Sequence, residues 1–259
     1  MTDVDMIRDH LRKEKLLPDS CLTAYIGGSF ARGWHNEASD ADVYVVSEEA
    51  WAGPTAVPLA VGLEPGHVLS EQTHVGALRC DVEYWTSAQV DQLFAKMSWE
   101  ALRSGAAAST RLSVDESFFL ERVGHAVALD GAEWLAERQA ALRASAYVPG
   151  LVIKAFNMTD GYAEDAAGQL GNGDTVSAVL SARLAFNHAV EGLLAHRGEY
   201  GNSPKWRARR FQAADPPELS FEEYWALETM RSFDADHPEQ WIVEVITVSR
   251  RLQSLVPIG

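Results

Sequence analysis

The sequence reads as an α+β protein: a small mixed β-sheet with flanking helices over residues 1–147, then an all-α helical bundle over residues 148–259. Three observations predict this. Two short apolar runs, Leu22–Ile26 and Val43–Val46, are separated by a polar loop, and an alternating stretch, Val75–Trp85, follows them; such runs have the length and period of strands. From Tyr147 onward apolar residues recur at helical spacing with only short breaks. At 259 residues, 47% of them hydrophobic, the chain is long enough to bury two cores.

Taken in order, residues 3–15 place Met6, Ile7 and Leu11 on one face of a short helix, ended by Pro18-Asp19-Ser20. The first strand follows. After Val46, residues 47–66 are rich in Gly and Pro and read as a loop or short helix over the site. Residues 75–85 form a strand region, with residues 66–73 as its hairpin partner. Thr86-Ser87-Ala88-Gln89 is a capping box, starting a helix to about Leu102, and residues 105–109 are a small-residue break. Ser113-Val114-Asp115-Glu116 is a second capping box, opening a helix to about Val123. Residues 126–129 suit a short edge strand and residues 132–144 a connecting helix. In the second half, helices are predicted over 151–170, then from the cap Asp174 through Ala195, over 205–212 after Pro204, from Ser220, and from Pro238 to about Leu255.

The chemistry concentrates in residues 22–46. The first apolar run ends in Gly27-Gly28-Ser29, and Asp40-Ala41-Asp42 opens the second. Carboxylates at i and i+2 on a strand share one face. Two like charges held that close are costly unless a cation sits between them, and a divalent ion bridging phosphate oxygens is the usual one. A Gly-Gly-Ser turn brings backbone N–H groups and a hydroxyl against phosphate. The combination points to a nucleoside-triphosphate site. Arg32 is near enough to touch phosphate or stands as an exposed helix arginine, and Arg79 either reaches the same pocket or forms a surface cross-strand pair. Asp81 and Glu83 alternate on the later strand and share a face.

Gly28-Ser29 with Asp40-x-Asp42 beginning eleven residues after Ser29, set within Ser29-Phe30-Ala31-Arg32-Gly33 and Ser39-Asp40-Ala41-Asp42-Val43, resembles the signature of the DNA polymerase β-type nucleotidyltransferase superfamily. The resemblance spans roughly the first half of the chain. It implies two Mg²⁺ ions between carboxylates and the triphosphate of ATP or another NTP, with Asp40 and Asp42 as ligands. It also implies a third strand carboxylate, for which Asp81 is the candidate as ligand or base, with Glu83 as the alternative base. Gly28 and Ser29 would hold the triphosphate, and Arg32 lies within reach of it. In similar two-domain enzymes a helical domain closes over the nucleotide with basic residues, a role for which Lys205 and Arg209, four apart in the most basic cluster of the chain, are the candidates. Aminoglycoside-type nucleotidyltransferases share this length and layout, so transfer of AMP from ATP to a hydroxyl of a small antibiotic-like acceptor, conferring resistance, is the expected activity. The alternatives are transfer to a protein or tRNA, and a non-catalytic nucleotide-binding module.

A net charge of −15 disfavours a polynucleotide partner, whose phosphates such a surface repels, and suits a cationic small molecule. No run of eighteen apolar residues occurs and the first residues, MTDVDMIRDH, are charged, so neither a membrane span nor a signal peptide is expected, and the location should be cytoplasmic. Cys21 and Cys80 read as reduced packing residues. Arg183 and His188 echo the Arg-x4-His core of HEPN nuclease-like domains, but Leu184 stands where a polar residue is usual, and His188 and Glu191 read as ordinary helix-face residues. Asp160, Glu164 and Asp165 are acidic candidates for an amine-rich acceptor.

Overall fold

Strand-forming runs of Val, Ile and Tyr build a six-stranded mixed sheet, of order β3-β4-β5-β2-β1-β6. The computed structural model describes residues 3–51, 53–105 and 112–257. The strands are β1 (Cys21–Ile26), β2 (Ala41–Ser47), β3 (Val57–Ala60), β4 (His67–Val75), β5 (Leu78–Thr86) and β6 (Val127–Asp130). All neighbouring pairs are antiparallel except β2 and β5, which run parallel with Asp42 opposite Asp81 and Tyr44 opposite Glu83.

Alternation along these strands gives the sheet two different faces. One carries Ala24, Ile26, Val43, Val45, Cys80 and Val82, which pack against Ile7 and Leu11 of helix α1 (Asp3–Lys13) and against Leu129. This apolar core anchors the strands. The other face carries Tyr25, Tyr44 and Trp85, layered with Phe119 at ring separations of 4.4–6.2 Å. Asp42, Asp81 and Glu83 fall on this second face by the same period of two. The sheet therefore spends its hydrophobic face on the core and leaves the charged end of the aromatic face for chemistry.

Helices of this unit are α2 (Gly28–Ala31), α3 (Ser87–Lys96), α4 (Trp99–Arg103), α5 (Val114–His125) and α6 (Ala132–Ala144). Both capping boxes form: Thr86 with Gln89, and Ser113 with Glu116. Glu116 is wholly buried, yet satisfied by Gly62 N–H at 2.6 Å and Lys96 Nζ at 2.9 Å, which ties the 61–66 loop to two helices.

Several boundaries differ from expectation, each for a physical reason. The single helix expected from Thr86 to Leu102 is two, because Ser98 caps a new start by accepting Ala101 N–H. The 47–66 segment contains a strand, β3, paired to β4 at the sheet edge despite Pro58. Of the small-residue break at 105–109, residues 106–109 lie outside the described residues.

The chain divides into two units, Met1–Ala146 and Tyr147–Gly259. The second is helical: α7 (Tyr147–Gly171), α8 (Thr175–His196), a 3₁₀ turn (Pro204–Trp206), α9 (Arg207–Ala214), α10 (Phe221–Glu228) and α11 (Pro238–Leu255). Helix α7 packs along α8, and α11 lies against both. It begins before the expected Leu151, since Pro149 sits in the first turn, where no backbone donor is needed. Gly192 lets Phe156 press onto α8; a Cβ there would stand 2.5 Å from the ring. Among the described residues no helix is long and apolar enough to cross a membrane.

Candidate active site

The β1–β2 connection begins with a glycine pair whose backbone geometry a side chain would spoil. Gly27 N–H donates to Asp42 C=O at 2.9 Å, closing the end of the β1–β2 ladder. Gly28 adopts φ +61° as it enters the one-turn helix α2, and a Cβ on it would fall against Asp42 Oδ2. The turn and the first strand carboxylate are thus in van der Waals reach. Gly28→Ala is expected to lose about 1–2 kcal/mol of stability through the left-handed strain and the displaced carboxylate. Urea unfolding checks this, and an unchanged midpoint would show that the turn relaxes.

The strand register places Asp81 directly opposite Asp42, on the same face, with Asp40 one step before β2. Arg79 Nη2 contacts Asp40 Oδ2 closely and lies 3.4 Å from Asp81 Oδ2, so one guanidinium bridges two of the three acids. Arg79 thus forms a half-exposed pair with Asp40 across the β2–β5 boundary. Arg122, on α5, brings its Nε to 3.4 Å from Asp42 Oδ2. Burial pushes the Asp42 carboxyl up; Arg122 pulls it back, while Asp40, Asp81 and Glu121 push it up again.

Asp81 Oδ1 is buried without a hydrogen-bond partner. Among the described residues no three His, Cys, Asp or Glu side chains are arranged to hold a metal ion as they stand; Arg79 occupies the space between Asp40 and Asp81 instead. The donor set nevertheless fits a hard divalent cation: every candidate ligand is a carboxylate oxygen, and one is unsatisfied. Arg79 is 48% exposed, so the side chain that would have to turn aside is not packed in place.

Glu83 sits one pleat beyond Asp81 and is partly buried. Its Oε2 accepts the Trp85 indole N–H at 3.0 Å, and burial pushes its carboxyl up to about 7, against the lowering effect of that bond. Tyr25 hydroxyl, fully buried beside it on the aromatic face, has no hydrogen-bond partner. Arg32 caps the C-terminal end of α2 and stacks over Trp34 at 4.1 Å, and Phe30 lies on His35 at 4.0 Å, so the loop leaving Ser29 is aromatic.

The structure thus brings Gly28, Asp40, Asp42 and Asp81 together, with Ser29 next in the turn. Residues 6–64 match the family model described as a nucleotidyltransferase domain, which takes in the Gly28-Ser29 turn, Asp40 and Asp42. Over these residues the chain is similar to the nucleotidyltransferase domain family. The fold agrees: a crystal structure of a nucleotidyltransferase-like protein from Exiguobacterium sibiricum 255-15 superposes with a TM-score of 0.50 at 10% identity, covering 98% of this chain and 75% of that one. No curated protein matches the chain. Asp81 lies outside the matched segment, and its place beside Asp42 rests on the β2–β5 register.

The remaining candidates belong to the second unit. Lys205 lies in the 3₁₀ turn and Arg209 in α9, both over the Trp206 ring at 5.6 and 5.2 Å. Their basic neighbours Arg207 and Arg210 turn inward, 8% and 2% exposed, and pair with Glu191 at 2.8 Å. Glu191 is therefore a partly buried anion paired with two arginines, beyond the ordinary helix-face residue expected from sequence. His188 stacks on Tyr162 at 5.6 Å, and Arg183 is exposed. Sequence reasoning missed Arg122: its helix was foreseen, but its partner Asp42 is 80 positions away and no local pattern links them.

Proposed function

We propose that this nucleotidyltransferase transfers AMP from ATP to a hydroxyl of a small, cationic, aminoglycoside-like acceptor in a Mg²⁺-dependent reaction. The observation that carries the reading is the register that sets Asp81 opposite Asp42 on the face beside Gly28. Asp40, Asp42 and Asp81 are the residues that would hold the cation. A bound Mg²⁺ would supply Lewis acidity, offsetting the charge of the phosphates and lowering the pKa of the acceptor hydroxyl.

The chain's own groups do the rest. The Gly28-Ser29 backbone and the Ser29 hydroxyl hold the triphosphate, and Arg32 follows in the same turn. Asp81 takes the proton of the acceptor hydroxyl, whose oxygen bonds to the α-phosphorus. The bond from that phosphorus to the β-bridging oxygen breaks, and pyrophosphate leaves with the electron pair. The net charge of −15 supports a polycationic acceptor by long-range attraction.

The test is calorimetric titration of ATP with and without Mg²⁺, into wild type and the Asp40→Ala/Asp42→Ala variant. Loss of at least about tenfold in the Mg²⁺-dependent affinity is expected, as charged ligands are removed from the site. Equal affinity in the two proteins would refute the site. Radiolabelled ATP offered with an aminoglycoside panel or with cell lysate then separates small-molecule transfer from label in a protein or RNA band.

A further inference from the structure

One cation on the aromatic face of the sheet takes no part in the proton transfer or the triphosphate grip. Arg122 threads its stem beneath the glycine turn: a Cβ on Gly27 would lie 2.6–2.9 Å from its Cδ, Cβ and Cγ. Its Nε reaches 3.4 Å from Asp42 Oδ2, is buried, and makes no hydrogen bond. The guanidinium lies over Phe118 at 5.1 Å and donates through Nη1 to Glu121 at 2.5 Å, and the side chain is only 15% exposed. The position that a Cβ on Gly28 would take is 3.4 Å from the same Nε. A single side chain thus touches the turn, the β2 carboxylate and its own helix α5.

We infer that Arg122 is a positioning residue for nucleotidyl transfer, holding the Asp42 carboxylate and the Gly27-Gly28 turn in the mutual placement that a triphosphate requires. The stem fixes the height of the turn, because neither glycine leaves it room to sink. The charge fixes the carboxylate, because the guanidinium Nε stands 3.4 Å from Asp42 Oδ2. Its effect passes through Asp42, which makes the two residues one unit in a mutational cycle. This inference rests on the nucleoside-triphosphate reading of the site.

The experiment uses the full chain and calorimetric titration of ATP, GTP, CTP and UTP with saturating Mg²⁺. The proteins are wild type, Asp42→Asn, Arg122→Met, Arg122→Lys and the Asp42→Asn/Arg122→Met double variant, each also melted without nucleotide. Arg122→Met keeps the stem and removes the charge. It is expected to bind the preferred nucleotide about tenfold more weakly, Arg122→Lys to recover to within about threefold, and the double variant to bind no more weakly than Asp42→Asn alone. Wild-type affinity in Arg122→Met, or losses that multiply in the double variant, would overturn the inference. Should Arg122→Met fail to melt cooperatively, Arg122→Gln carries the same comparison. Unchanged affinity in Asp42→Asn sinks both the site reading and this one, whereas loss there with none in Arg122→Met sinks this one alone.

Discussion

Asp81→Asn is expected to lower nucleotidyl transfer by about a thousand-fold, while Glu83→Gln costs about tenfold or less. The two acids alternate on β5 and share a face, so sequence alone left the base role open between them. Geometry separates them. Asp81 faces Asp42 across the parallel pair and offers a carboxylate oxygen with no partner. Glu83 is one pleat deeper, with an oxygen committed to the Trp85 indole. Its upward-shifted carboxyl would suit a base at neutral pH, but reach comes before proton affinity. Asparagine at 81 keeps the shape and removes both the negative charge and the proton acceptor. Glutamine at 83 retains an acceptor for Trp85 Nε1 and relieves a buried charge. Single-turnover rates with saturating ATP and Mg²⁺ measure the difference, and a larger loss in Glu83→Gln would exchange the two assignments.

What the sequence made legible was local. The capping boxes at Thr86 and Ser113 form, and the helix start read at Ser220 carries a third, because each needs only residues three apart. The glycine turn and the two aspartates at the head of β2 were readable for the same reason, and Asp81 through strict alternation. Three features were not. Strand β3 has no period to reveal it, since its residues are mostly exposed and it is held by pairing with β4. The fate of the basic cluster was hidden because Arg207 and Arg210, three apart, find Glu191 on another helix. Arg122 was hidden for the same reason: what gives it meaning is Asp42, brought near by tertiary packing of α5 on the sheet. Long-range charge pairing leaves no mark on local pattern.

That buried charge cluster yields the largest expected stability effect. Glu191→Ala should cost about 3 kcal/mol, because it strands two guanidiniums that have little water to turn to. In thermal melts this is a fall of about 10 °C. Arg207 retains Asn187 at 2.9 Å and Glu228 at 3.4 Å, and Arg210 retains Glu199 C=O at 3.2 Å, which holds the loss below that of a fully orphaned pair. The pH dependence has a definite sign. Burial alone would push Glu191 up, but the Arg210 hydrogen bond and the charges of Arg210 and Arg207 outweigh it and hold the carboxyl below its ordinary value. A carboxyl lowered by folding contributes stability that is fully present above its unfolded pKa, about 4.3, and is lost as pH falls through the folded value. Glu191→Gln keeps an acceptor and lacks the charge, so it should melt below wild type at pH 7. That gap should close as the pH falls through the lowered value, where wild-type Glu191 also becomes neutral. A gap that stays constant from pH 7 to pH 3 would show that hydrogen bonding, and not charge, holds the two arginines in the core of the second unit.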